Sequence, residues 1–146
     1  MINDYYSFSR SSDFKSFEFI SSGKKGDVLK RVQFIPTETP HTFNLGLGDV
    51  DPSVNIFETI TTDNGDTRKL LNTINKIVLE FLKTNQLYQV IIKGTTPARN
   101  RLFKMHISSN IDSLTDQFIV FGYSGGIWEK FKKGHSYTIF LIRHKR

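Results

Sequence analysis

The chain has no cysteine. That excludes a disulfide framework, a thiolate zinc site and a cysteine nucleophile, and it suits a reducing compartment. Long apolar runs are missing as well. No stretch approaches the roughly 20 residues of a membrane-spanning helix, and the opening MINDYYSFSRSSDF lacks the apolar core of a secretory signal. The expectation is a soluble, cytoplasmic protein with no membrane partner. Histidine is sparse, and His41, His106, His135 and His144 never fall at metal-ligand spacing. No metal, no cofactor and no catalytic residue is therefore expected. Repeats and low-complexity segments are also absent.

Acidic residues are scarce in one half only. Residues 1–73 carry eight Lys/Arg against ten Asp/Glu, whereas residues 74–146 carry twelve against four, giving balances of −2 and +8. Such asymmetry can mark a half that binds polyanions. It also describes a protein whose halves complement each other. At 146 residues the chain fits a single domain over 1–146, with residues 1–12 loosely ordered, and it can bury a core without staples. Thirteen phenylalanines beside one tryptophan make phenylalanine packing the expected basis of that core.

Strand signals come first. SFEFIS (16–21) is rich in aromatics, and SGKKG (22–26) reads as a hairpin turn. DVLKRVQFIP (27–36) sets Val28, Val32 and Phe34 apart from Lys30, Arg31 and Gln33. HTFNLGLGDV (41–50) alternates Phe43, Leu45 and Leu47 with Thr42, Asn44, Gly46 and Gly48, so the glycine face should stay open to a close approach. SVNIFETIT (53–61) is a weaker, edge-like strand. Leu70, Leu71, Ile74, Ile77, Val78, Phe81 and Leu82 then recur at helical spacing and predict a helix over 66–84 with Asp66 as its N-cap.

LYQVIIK (87–93) predicts a buried strand. In KGTTPARNRLFKM (93–105), Thr96 caps and Pro97 opens a second helix. Ala98, Leu102 and Met105, with Ser109 as an extension, form its expected inward stripe; the helix should fade near 108–110, with IDSLTD (111–116) able to add a further turn. QFIVFGY (117–123) predicts a strand, SGG (124–126) a turn, IWEKFKKG (127–134) a basic-aromatic excursion, and 136–143 a closing strand. The sum is an α+β fold, a mostly antiparallel sheet of about six strands with two helices on one face, in the order β-β-β-β-α-β-α-β-β.

Quoted together, EFISSGKKGDVLKRVQF, FNLGLGD, NGDTRKLLNTINKIVLEFL, KGTTPARNRLFKM and the late WEKF…YTIFLIRHK resemble a family of short bacterial proteins of unknown function, over nearly the whole chain. The resemblance implies no activity, cofactor or residue role. A second likeness is of architecture alone: four antiparallel strands followed by a helix is an order found in single-stranded nucleic-acid-binding folds such as the Whirly and Pur-type modules.

Several clusters could carry chemistry. Gly94-Thr95-Thr96-Pro97 joins a strand to a helix, so its N–H groups, the hydroxyls of Thr95 and Thr96, and the charges of Arg99, Arg101 and Lys104 could hold an anion. Capping alone would also explain Thr96 and Pro97. Trp128, Phe131 and Tyr137 interleave rings with Lys130, Lys132 and Lys133, as suits single-stranded nucleic acid, and the Lys24-Lys25 turn and the RHKR tail (143–146) could extend that surface. Core packing beneath lysine stems is the alternative. Gly122-Tyr123-Ser124-Gly125-Gly126 matches G-x-S-x-G, but Glu129 and His135 follow too closely for a nucleophile elbow, and a hairpin turn reads better. Asp49 with Asp51, and Asp63 with Asp66, read as turn and cap residues rather than as a cation site.

The leading expectation is a non-enzymatic module that binds nucleic acid or another polyanion through the basic C-terminal half. One alternative is a protein-interaction module, a homodimer or half of an operon-encoded pair, using exposed strand edges. Another is an enzyme or binder acting on a phosphorylated small molecule at the Thr95–Arg101 turn.

Overall fold

The computed structural model describes residues 4–51, 56–58, 63–94, 97–114 and 116–145. In chain order its elements are β1 (Phe8–Arg10), β2 (Ser16–Gly23), β3 (Gly26–Pro36), β4 (Thr42–Asp51), β5 (Ile56–Glu58), α1 (Thr67–Leu82), β6 (Gln89–Ile92), α2 (Pro97–Leu114), β7 (Phe118–Ser124), β8 (Ile127–Lys130) and β9 (Ile139–His144). The fold is α+β, with two helices and a large, mostly antiparallel sheet. Instead of about six strands, the sheet has nine among the described residues, eight in succession and β5 attached to β4. The element order is correspondingly longer: five strands precede α1 and three follow α2. Two strands escaped the sequence pattern for physical reasons. β1 is three residues long and pairs Phe8 with Phe19, too short to show alternation. β8 is exposed on nearly every residue, so it shows no buried face.

Contacts divide the chain into two compact units. The first comprises Ile2–Ile35 and Leu45–Thr84, the second Pro36–Asn44 and Asn85–Arg146.

In the first unit β2 pairs antiparallel with β3 through a two-residue turn at Lys24 and Lys25, Gly23 opposite Gly26. The register sets Phe17 opposite Val32 and Phe19 opposite Lys30, so Phe17, Phe19, Lys30, Val32 and Phe34 share one face. All five are buried. Lys30 belongs there by parity, although its charge suggests otherwise, and its Nζ lies 2.7 Å from Asp49. Helix α1 supplies Ile77, Val78, Phe81 and Leu82, each fully buried. Phe81 stacks on Phe34 with ring centroids 3.9 Å apart, and Phe17 meets Phe34 edge-on at 5.9 Å. Burial of each such ring contributes about 1.5–3 kcal/mol. Along β4 the glycine parity is not uniformly open: Gly48 is buried with Val50, whereas Gly46 is half-buried like Leu45 and Leu47, and Asn44 is exposed.

Residue 66 does precede α1, but its carboxylate makes no capping bond. Asp66 Oδ2 instead accepts from the Tyr6 and Ser21 hydroxyls, each at 2.5 Å. Tyr6 is itself buried, and its N–H donates to Thr73 Oγ1 of α1 at 2.9 Å. Asn64, 2 % exposed, clamps the 23–26 hairpin. Its Oδ1 accepts the Lys25 N–H at 2.7 Å, and its Nδ2 donates to Gly26 O at 2.8 Å and to the Ser21 hydroxyl at 3.2 Å.

In the second unit the first residues of β4 run parallel to β6, Thr42 opposite Gln89. β6, β9, β7 and β8 then continue antiparallel, each to the next. Alternate residues of three of these strands form the inner face: Val90, Ile92, Phe118, Val120, Phe140 and Ile142 are all 0–5 % exposed. The β7–β8 turn uses Gly125 and Gly126 at φ +59° and +86°, the left-handed pair that a two-residue hairpin demands. On the inner face Gly122 leaves room for Tyr137, whose ring atoms lie 2.3–2.6 Å from where a Cβ would stand.

Helix α2 departs from the expected inward stripe. Leu102 and Met105 are 40 % and 58 % exposed, and among its described side chains Ile107, at 5 %, is the buried one. Leu102, Phe103, Met105 and Ile107 surround the helix, so the expected stripe does not hold at Leu102 and Met105, and the side chain of Ala98 lies outside the described residues. The helix does not stop at 108–110 but takes in the further turn, running on to Leu114. Ser109 Oγ and Asn110 Nδ2 donate to the carbonyls of Met105 and His106, each at 2.9 Å. Polar side chains that usually compete with a helix are here tied one turn back along it.

Candidate anion-binding groove

The end of β6, the start of α2 and the segment leading into β9 enclose an open groove of about 780 Å³. Its cations are Lys93, Arg101 and Lys104; its other walls include Gly94, Asn100, Tyr123, Tyr137 and Ile139, and among the described residues no carboxylate lines it. Lys93 and Arg101 are exposed and Lys104 half-buried. Among the described residues, ion pairs join Lys30 to Asp49, Arg31 to Glu18, Lys69 to Asp4 and His135 to Glu129. None involves a groove cation. The first turn of α2 likewise holds no acid that could answer the partial positive charge of that helix end.

Asn100 fixes the geometry. Its Oδ1 accepts the Gly94 N–H at 2.8 Å, and its Nδ2 donates to the Thr138 carbonyl at 2.9 Å. Thr138 N–H in turn donates to the Tyr123 carbonyl at 2.9 Å. One neutral amide thus ties the α2 entry to β6 and to the approach to β9, and leaves the charge of the groove uncompensated. Asn100 was not among the candidates read from the sequence, because a bond to a backbone N–H six residues back lies outside the usual local side-chain patterns. Lys93 and Tyr123 were missed as well, because only the strand order brings them beside α2.

The other candidates disperse. Thr95 and Thr96 lie outside the described residues, and Arg99 is described only by its backbone, within α2. Trp128 is 43 % exposed on β8, its ring 5.2 Å from that of Tyr123. Lys130, Lys132 and Lys133 are exposed at the end of β8 and in the turn after it. Lys24 and Lys25 belong to the first unit, where Asp63 is their local acid. The Gly65 N–H, and then the charges of Lys24 and Lys25, hold the Asp63 carboxyl below the ordinary carboxylate range.

A second, smaller cavity of about 390 Å³ is lined by Ser124, Glu129, His135 and Tyr137. His135 Nδ1 stands 3.4 Å from Glu129 Oε2, which also accepts from the Tyr137 hydroxyl at 3.3 Å. Burial, foremost, raises the Tyr137 phenol above its usual range. The G-x-S-x-G segment is the β7–β8 hairpin, Ser124 opposite Ile127, and no hydrogen bond links Ser124 to His135. Among the described residues no cluster of His, Asp and Glu could hold a metal ion, and no helix is long and apolar enough to cross a membrane.

No curated protein and no solved structure matches the chain. The model of the Family of unknown function (DUF6934) matches residues 2–145, and the chain belongs to that family.

Proposed function

We propose that this protein is a binding module that engages a polyanion, nucleic acid foremost, through the groove at the start of α2. The observation that carries the reading is the convergence of Lys93, Arg101 and Lys104 on one open groove without a carboxylate. Three cations held apart from any acid keep an electrostatic cost that an incoming phosphate relieves. The +8 balance of residues 74–146 adds long-range attraction of the same sign.

The test is a salt titration of affinity for a labelled single-stranded oligonucleotide. Each phosphate neutralised adds roughly 0.7 to the slope of log K against log salt. Replacing both Arg101 and Lys104 by alanine should therefore flatten that slope by about 1.4 and leave the fold intact, since neither side chain is buried. Undetectable binding at low salt, or an unchanged slope in the double variant, overturns the proposal. Inorganic pyrophosphate in a parallel thermal-shift assay separates the phosphorylated small-molecule alternative: stabilisation by pyrophosphate without oligonucleotide binding favours it.

A further inference from the structure

The sheet face opposite the buried one is a second surface, adjoining the groove. Register places Leu141, Phe121 and Lys130 in one row across β9, β7 and β8, and Ile139, Tyr123 and Trp128 in the next. Residues directly opposite on paired strands share a face, so these six side chains stand on one side. None is buried. The Arg143 guanidinium lies over the Phe121 ring, 5.1 Å from its centroid. Strands β6, β7, β8 and β9 contain a single acid, Glu129. It is the register partner of Gly122 and so belongs to the other face. Half-exposed aromatic rings with cations beside them, and no carboxylate among the described residues of β6 to β9, are what this side of these strands presents.

We infer that this face stacks the bases of single-stranded nucleic acid on Phe121, Tyr123 and Trp128, while its phosphates meet Lys130, Arg143 and the adjoining groove. The inference rests on the polyanion reading above and names the polyanion. Every base has a π-face, so an aromatic platform holds a strand without reading its sequence, and sheet faces carrying exposed rings serve this purpose in single-strand binders. A duplex keeps its base faces stacked inward and cannot offer them. A second copy of this chain is the poorer occupant, because two-fold self-pairing brings the same patch against itself, setting Lys130 and Arg143 against like charges. Tyr123 and Ile139 line the groove as well as the face, so a strand can pass from one to the other.

Trp128 is the chain's sole tryptophan and reports directly on the face. Its fluorescence is titrated at low salt with oligo-dT, with the corresponding duplex, and with inorganic polyphosphate. Oligo-dT should quench it, polyphosphate should bind without quenching, and the duplex should bind more weakly than the single strand. Phe121→Ala should weaken oligo-dT about tenfold and leave polyphosphate unchanged. Trp128→Leu, at an exposed edge position and followed by anisotropy of labelled oligo-dT, should lose a similar factor and covers the case in which the Phe121 variant misfolds. If oligo-dT binds with Trp128 unquenched and insensitive to both variants, the face is not the platform, although the polyanion reading stands. If neither oligo-dT nor polyphosphate binds, both readings fall. Equal affinity for duplex and single strand, or a dimer by light scattering that Trp128→Leu dissociates, also overturns the inference.

Discussion

Asparagine 64 offers the sharpest test of how the first unit holds its hairpin. It is 2 % exposed, so what its amide loses, water does not readily replace. Asn64→Ala removes the acceptor of the Lys25 N–H and the donor to Gly26 O, bonds of 2.7 and 2.8 Å, and a weaker donation shared by the two oxygens of Ser21. A typical bond contributes about 1 kcal/mol net, and a polar group left unpaired in the interior costs about 1–3 kcal/mol. Two strong bonds in a part-buried setting therefore place the loss at about 3 kcal/mol. With a urea m-value of about 2 kcal/mol/M, the midpoint should fall by about 1.5 M. Far-ultraviolet circular dichroism is the readout, since Trp128 lies in the other unit. Asn64→Asp keeps the shape but turns an oxygen toward Gly26 O, and should be no less destabilising than alanine. A sterically distinct companion is Gly23→Ala, whose Cβ would stand 2.1 Å from the Asn64 carbonyl oxygen. That atom is backbone, so Asn64→Ala should not rescue it. An unchanged urea midpoint for Asn64→Ala, or full rescue of Gly23→Ala, would refute the argument that this amide clamps the hairpin.

Two further outcomes are expected. Burial first, and then Asp66, push the Tyr6 phenol above its ordinary range near 10; burial does the same for Tyr137. A raised folded value contributes stability that is complete below pH 10 and is lost as pH climbs through the folded value, so alkaline denaturation should set in above about pH 10. Tyr6→Phe should blunt that alkaline loss, as followed by circular dichroism against pH. On α2, Ile107→Ala should cost about 2–5 kcal/mol, whereas Leu102→Gln and Met105→Gln should shift the urea midpoint by little, since surface substitutions usually stay within about 0.5 kcal/mol; equal losses at all three sites would contradict the observed phase of the helix.

Helix α1 could be read from its residues because seven apolar positions keep one phase over four turns, and a helix with that stripe has a single way to bury it. Helix α2 could not, because its apolar residues point several ways and tertiary contacts alone choose among them. Strand β8 gave no signal for the opposite reason: an edge strand with both faces partly exposed leaves nothing for alternation to reveal. The candidate groove was half visible. Arg101 and Lys104 announce themselves by sitting near a helix start without acids. Lys93 joins them only because β6 ends there, and Tyr123 only because β7 returns beside β9. Asp66 stands at the N-cap as read, but its carboxylate does not serve the helix, because the hydroxyls of Ser21 on β2 and of Tyr6 ahead of β1 take it first.

The contact between Gly122 and Tyr137 has a consequence for how this chain can drift. The tyrosine ring occupies the volume a side chain at position 122 would need, and its hydroxyl reaches Glu129 and the Lys132 N–H. Neither position is free to vary alone. Among relatives of this protein, a residue larger than glycine at the equivalent of 122 should be found only where the partner ring has shrunk, so the two sites should be inherited as a pair, with single exchanges purged before they spread.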